Sequence, residues 1–194
     1  MDELIAGYRK FYADHFATKD SLYHDLVRNG QRPKVLVIAC SDSRVDPALL
    51  MGCSPGDMFV VRNVANLVPP FEGDHKHHGT SAAVEFAVRV LGVSNIIILG
   101  HTLCGGIQAL VQGLEWESDF VADWMEIARP ARQADTTECG RGSLLLSLKN
   151  LMTFPWVRER VERGKLSLHA WQFDLESGVI MRHEEERGWK PLFL

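Results

Sequence analysis

VLVIACSDSRVDP, residues 35–47, decides how the chain is read. Its first half is a short apolar run rich in β-branched residues and lacks the polar alternation of a half-exposed strand. That is the pattern of a parallel strand buried on both faces. The run breaks at Cys40-Ser41-Asp42-Ser43-Arg44, which sets a thiol, an acid and a guanidinium at alternate positions where a strand would end. Residues 57–61 and 95–99 repeat the apolar pattern, the latter stopping at a second cluster, His101-Thr102-Leu103-Cys104-Gly105-Gly106. Between them, residues 79–91 carry Ala83, Phe86, Ala87, Val90 and Leu91 on one side of a helical wheel and Val84 and Val88 on another, with Glu85 and Arg89 placed as an i,i+4 pair. A helix apolar on more than one face is expected to be buried twice, against its own sheet and against a partner subunit.

Working outward, residues 4–16 and 21–28 read as amphipathic helices of an N-terminal arm. Residues 105–113 read as a short helix, 119–134 as a helix or pair broken at Pro130, 140–152 as a helix, and 155–163 as a helix opened by Pro155. The chain closes in LSLHAWQFD and GVIMRH, joined at Glu176-Ser177-Gly178 as a hairpin. Strands alternating with helices predict an α/β fold: a central, mainly parallel sheet flanked by helices, with an antiparallel C-terminal edge strand. The 194 residues suit one domain, with 1–30 as its helical arm.

Composition narrows the function classes. Lys and Arg number 21 against 25 Asp and Glu, and the basic residues are scattered, so no cationic stripe offers nucleic-acid phosphates a track. No apolar run approaches a membrane span, and the acidic, amphipathic start MDELIAGYRKFYADHF is unlike a signal peptide, so a cytoplasmic address is expected. The 4 cysteines are too few for a stapled secreted scaffold, which leaves metal binding or catalysis as the better use for some of them.

In an open α/β sheet, ligands gather outside the carboxyl ends of the strands. If the strands ending at Cys40 and His101 are neighbours, Cys40, His101 and Cys104 converge. Two thiolates and one imidazole make a three-ligand zinc set with a fourth position open, the mark of a catalytic site. Cys104 would stand at a helix N-terminus, where the macrodipole favours the thiolate. Gly105 and Gly106 would keep side chains off the metal. Asp42 would accept a hydrogen bond from a metal-bound hydroxyl and aim its lone pair, and Arg44 would grip Asp42, keep it ionised and hold it off the metal.

Blander readings hold elsewhere. Cys53 and Cys139 lack partners at ligand spacing and read as packing residues. His75, His77 and His78 read as a solvated polar loop within residues 69–78, and His169 as core. The dispersed tryptophans, Trp116, Trp124, Trp156, Trp171 and Trp189, read as packing or interface.

Cys40-Ser-Asp-Ser-Arg44, Arg62-Asn-Val-Ala-Asn66, Gly79-Thr-Ser-Ala-Ala83 and Gly100-His101-x-x-Cys104-Gly-Gly106 together closely resemble the β-class carbonic anhydrases over about residues 31–180. The resemblance implies a zinc enzyme, a lyase interconverting carbon dioxide and bicarbonate, assembled as a homodimer or tetramer. It matches Cys40, His101 and Cys104 to the zinc ligands and Asp42 with Arg44 to the catalytic dyad. Gln31, Phe59, Val64, Phe86 and Gly105 fall where the family places substrate-pocket residues, some of them supplied by the adjoining subunit. Three positions depart from the pattern. Phe86 replaces a frequent Tyr, Thr102 a frequent Ser, and Val37 stands where the bicarbonate-inhibited subgroup carries Trp. Two alternatives keep the same site: hydrolysis of carbonyl sulfide or carbon disulfide, and a non-enzymatic zinc- or bicarbonate-binding protein.

Overall fold

The computed structural model describes residues 1–17, 21–74, 76–113 and 118–193. Six strands form one sheet in the order β2-β1-β3-β4-β5-β6. β1 (Val35–Cys40) lies between β2 (Met58–Asn63) and β3 (Asn95–His101), parallel to both, and β3 is parallel to β4 (Ser167–Phe173). β5 (Ile180–Glu184) and β6 (Gly188–Pro191) then run antiparallel. The expected parallel core is present, but the antiparallel part is two strands deep, so β6 forms the edge. β6 is short, carries Lys190, and ends on Pro191, features that blunt an exposed edge.

The apolar runs become strands because both faces are covered. Leu36, Ile38, Ile96 and Ile98 pack on one face with Val84, Ala87 and Val88, Leu144 and Leu151, and Phe154 and Val157. Val37, Ala39, Ile97 and Leu99 point to the other face, against Leu50, Met51 and Trp171. Each large fully buried side chain stabilises the fold by about 2 kcal/mol relative to exposure. Gly100, in β3, is required by close packing: a Cβ there would meet Leu144 Cδ2 at 3.0 Å.

The helices follow their caps. α3 (Pro47–Met51) went unrecognised in the sequence although its signals were there: the Asp46 carboxylate accepts from Ala48 and Leu49 N–H at 3.0 and 3.1 Å, Pro47 occupies the first turn, and Gly52 closes the helix at φ 59°. α4 (Gly79–Glu85) continues into a π-helical turn, Phe86–Leu91. Val84, Ala87 and Val88 face the sheet, whereas Phe86 and Val90 are exposed. α5 (Gly105–Gln112) follows β3 directly. The segment around Pro130 is α6 (Val121–Glu126) plus a 3-10 turn, Arg129–Ala131. α7 (Thr136–Leu151) begins four residues before the expected start because the Asp135 carboxylate accepts from Glu138 N–H at 2.8 Å. α8 is Pro155–Glu162.

The arm consists of α1 (Asp2–Phe16) and α2 (Leu22–Asn29), neither with a buried residue. Aromatic contacts tie them to each other, with Tyr23 stacked on Phe16 at 4.9 Å and edge-on to Phe11 at 5.4 Å between centroids. Among the described residues, no helix is long and apolar enough to cross a membrane.

Candidate metal centre

Because β1 and β3 are adjacent and parallel, their carboxyl ends bring Cys40 and His101 together, and the turn after β3 adds Cys104. The three donor atoms lie within 4.8 Å of one another, and all three residues are buried. Cys40 Sγ and Cys104 Sγ are 4.0 Å apart. Tetrahedral zinc with ordinary zinc–sulfur bonds requires about 3.8 Å between two sulfurs, so this spacing suits an ion and is far too long for a disulfide.

The imidazole is oriented for the same purpose. His101 Nδ1 lies 2.8 Å from the Thr102 carbonyl oxygen, which can only accept, so Nδ1 carries the proton. Nε2 is then a bare lone pair, buried and without a hydrogen-bond partner. Buried polar nitrogens are rarely left so, and an ion among the two sulfurs and this nitrogen satisfies it.

Backbone N–H groups favour both thiolates: those of Asp42 and Ala65 lower Cys40, and those of Gly106 and Ile107 at the start of α5 act in the same sense on Cys104. The non-glycine residues with left-handed φ include Ala65 (60°), Asn66 (51°) and Leu103 (57°), all beside the ligands. Such conformations cost about 1 kcal/mol or more each and persist where the surroundings over-determine them. Gly106 permits this turn: a Cβ would meet Met125 Sδ at 3.2 Å and Ala65 Cβ and Val64 Cγ1 at 3.3 Å. The two glycines of the turn differ: Gly106 makes room for packing, whereas a Cβ on Gly105 would meet no protein atom within 4 Å.

Two thiols this close compete for one negative charge. Cys40 is driven down chiefly by the hydrogen bond from Cys104, while Cys104 is driven up by the same bond, by burial and by the charge on Cys40. Burial lowers His101, but its contact with Cys40, that charge, the Thr102 carbonyl and Asp42 outweigh it and raise the group. A divalent cation replaces these protons and removes the conflict.

Asp42 stands beside this group, its Oδ2 3.8 Å from His101 Nε2. Arg44 donates from Nε to Oδ1 at 2.9 Å and from an Nη to Oδ2 at 2.7 Å, and its backbone N–H adds a bond to Oδ1 at 2.9 Å. The Arg44 guanidinium holds the carboxyl well below the usual carboxylate range, against a smaller opposing effect of burial. The same guanidinium donates to Leu103 O at 3.1 Å, so the left-handed turn before Cys104 also positions the dyad.

Sequence reasoning gave Arg62 no role. Its Nε donates to Cys40 O at 2.9 Å and one Nη to Asp42 O and Val45 O at 2.7 and 2.9 Å, so one cation staples the whole loop after β1. Its signal was a charged residue near the end of a predicted buried strand. Asn63 acts similarly on the other side, donating to Leu67 O and Thr80 Oγ1 and accepting from Leu67 N–H.

The remaining predicted site residues divide. Val64 and Gly105 lie next to the ligand turn. Phe59 pairs in register with Leu36, four residues before Cys40, which places it about 13 Å back along the strands. It packs against Phe86 in a tilted pair at 5.7 Å between centroids, and Gln31 is exposed on the loop before β1. One protomer therefore does not bring Gln31, Phe59 and Phe86 to the Cys–His–Cys group. Cys139 is fully buried beside the site and Cys53 half-buried. His169 is half-buried against Asn95, with Nε2 3.0 Å from Oδ1. His75 and Trp116 fall outside the described residues.

The sequence model of a family described as "Carbonic anhydrase" matches residues 35–180. The chain belongs to the carbonic anhydrase family. Its relatives place it in the β class. Over 90% of its length it is 38% identical to "Beta carbonic anhydrase 5, chloroplastic" of Arabidopsis thaliana, of which it spans 60%. It superposes on the solved β-carbonic anhydrase CcaA with a TM-score of 0.88 at 33% identity, covering 100% of this chain and 92% of that one. A tetrameric β-carbonic anhydrase of Sordaria macrospora matches with a TM-score of 0.72 at 30% identity, covering 93% and 92%. The carbonic anhydrase sheet and the Cys–His–Cys group at its carboxyl edge are thus both present here.

Proposed function

We propose that Cys40, His101 and Cys104 hold a zinc ion and that Asp42 and Arg44 serve it in the reversible hydration of carbon dioxide to bicarbonate and a proton. The observation that carries this reading is the bare, buried Nε2 of His101 facing two sulfurs 4.0 Å apart. Bound there, zinc supplies the Lewis acidity that generates a nucleophile from water near neutral pH. Asp42, ionised and gripped through both oxygens, accepts a hydrogen bond from the nucleophile and fixes which lone pair faces the carbon. Arg44 keeps Asp42 an acceptor and prevents it from swinging freely. Carbon dioxide is small and uncharged, so the Val64 side chain and the Gly105 backbone form one part of a pocket that need hold it only loosely.

Gln31, Phe59 and Phe86 complete the pocket from the adjoining subunit. Supporting this are their separation from the ligands within one protomer, the exposed Phe86 and Val90, and the arm without a buried face. The tetrameric Sordaria relative agrees with an assembly of dimers.

Stopped-flow hydration with a pH indicator, run on metal-quantified protein, tests the reading. Zinc near one per chain with rapid hydration is expected, and carbonyl sulfide offered in parallel should turn over far more slowly. Stoichiometric zinc without hydration at any pH overturns it.

A further inference from the structure

Beside the ligand turn lies a small cavity of about 10 Å³. His101 and Cys104 form one wall, and Asn66, Gly140, Ser143 and Gln172 contribute to the rest. Its lining is unusually polar for an interior: Asn66, Ser143 and Gln172 are 4%, 1% and 2% exposed. The size approaches the minimum for one water, about 10–15 Å³, and such a water needs two to four polar partners.

Ser143 supplies the decisive observation. A serine inside a helix ordinarily returns its hydroxyl to the carbonyl one turn back or exposes it. Ser143 Oγ does neither, being buried and without a hydrogen-bond partner. Ser147, one turn on, has its role filled, accepting from Val68 N–H at 3.2 Å. Gln172 is also partly unspent. Its Oε1 accepts from Arg141 Nε at 3.0 Å, while its Nε2 reaches Thr137 O only at 3.5 Å and lies 3.3 Å from where a Cβ on Gly140 would stand.

We propose that this cavity is a site for one permanently held water, bound by the Ser143 hydroxyl and the Gln172 amide, and that Ser143 acts through it as a positioning residue for Cys104 and His101. The positioning half rests on the zinc reading above. Cys104 stands at the N-cap of α5, where backbone N–H groups point out of the helix end. A water held from the interior side adds an O–H donor and fixes the turn from behind. Donors of this kind moderate how much charge a thiolate gives to a metal and how fast the ligand lets go.

The test has a structural and a spectroscopic arm. In crystals of the wild-type protein, zinc-loaded and metal-free, one water is expected within about 3.2 Å of Ser143 Oγ. Ser143→Ala should displace it, speed zinc release to a chelator about 10-fold, and shift the sulfur-to-cobalt charge-transfer band of cobalt-loaded protein. Ser143→Thr, which keeps the hydroxyl, should return both readouts toward wild type. Should Ser143→Ala fail to fold, Gly140→Ala, one turn before Ser143 on α7, narrows the same cavity beside Gln172 and carries the same expectation. A dry cavity in crystals that order other internal waters overturns the site. Unchanged zinc release and an unchanged cobalt band in a folded variant overturn the positioning role. A protein that binds no zinc overturns the proposed function instead, and leaves the water to be seen or not in the metal-free crystals.

Discussion

Among the described residues, two groups of side chains satisfy the same simple test for a metal site. Cys40, His101 and Cys104 lie buried within 4.8 Å of one another, and Glu72, Asp74 and His78 meet the same limit at the surface. The surface group arises from a single loop, and its Asp74 is already satisfied: Asp74 Oδ1 is 2.6 Å from His78 Nε2, and Lys76 reaches Asp74 Oδ2 at 3.2 Å. The buried group is assembled by strand register across about 60 residues, and His101 Nε2 remains unspent. Donors brought together by a local turn tend to be neighbours because they bond one another. Donors brought together by the sheet, with a bare lone pair sealed from water, are neighbours for something else. The comparison shows that proximity alone is a weak criterion and that an orphaned donor is a strong one.

The sharpest way to break this contrast is to remove donors from each group in turn. His101→Ala should take zinc from about one per chain to near zero after dialysis and cut hydration by at least roughly 10³-fold. The double variant Glu72→Gln with Asp74→Asn should keep its zinc and its rate. Elemental analysis with stopped-flow assays decides, and the opposite pattern would invert the comparison.

A smaller effect separates holding the ion from using it. Asp42→Asn keeps all three ligands and should keep zinc, yet the amide can offer a donor where an acceptor is needed, so kcat/KM should fall about 10²-fold. Arg44→Lys retains the charge but loses the two-pronged grip seen at 2.9 and 2.7 Å, and its rate should fall between those of Asp42→Asn and wild type. Wild-type turnover in either variant would remove the dyad from the mechanism.

Much of the buried group was legible because its determinants are local. The runs ending at Cys40 and His101 read as strands since both faces are apolar, and the cysteine and histidine spacings announce a ligand set once those strands are neighbours. The adjacency itself, β1 beside β3, had to be supposed. Arg62 was harder to read, because its partners are three backbone carbonyls that no side-chain pattern reveals. The strained turns at Ala65, Asn66 and Leu103 were invisible for a related reason: none is the glycine that usually marks a positive φ. β6 was missed because GWKP carries no alternating pattern, and the π-helical turn because a shift in backbone pairing leaves the side-chain periodicity almost untouched.

The smallest expected effect belongs to the surface group and tests whether its mutual satisfaction has any structural weight. His78, then the Lys76 backbone N–H, hold the Asp74 carboxyl well below the usual carboxylate range. A carboxyl depressed in the folded state stabilises the fold above its unfolded pKa of about 4, and that contribution is lost as pH falls through the folded value. Asp74→Asn should therefore lower Tm by about 2 °C or less near pH 7 at low salt, because exposed pairs of this kind contribute little. The difference from wild type should shrink as pH is taken below about 4. It should also shrink near neutrality in roughly 0.5 M salt, where charges separated by more than a few ångströms no longer interact across solvent. A larger loss that persists in salt would mean that the loop is tied to the body through Asp74, and that the surface group, too, answers to something beyond its own turn.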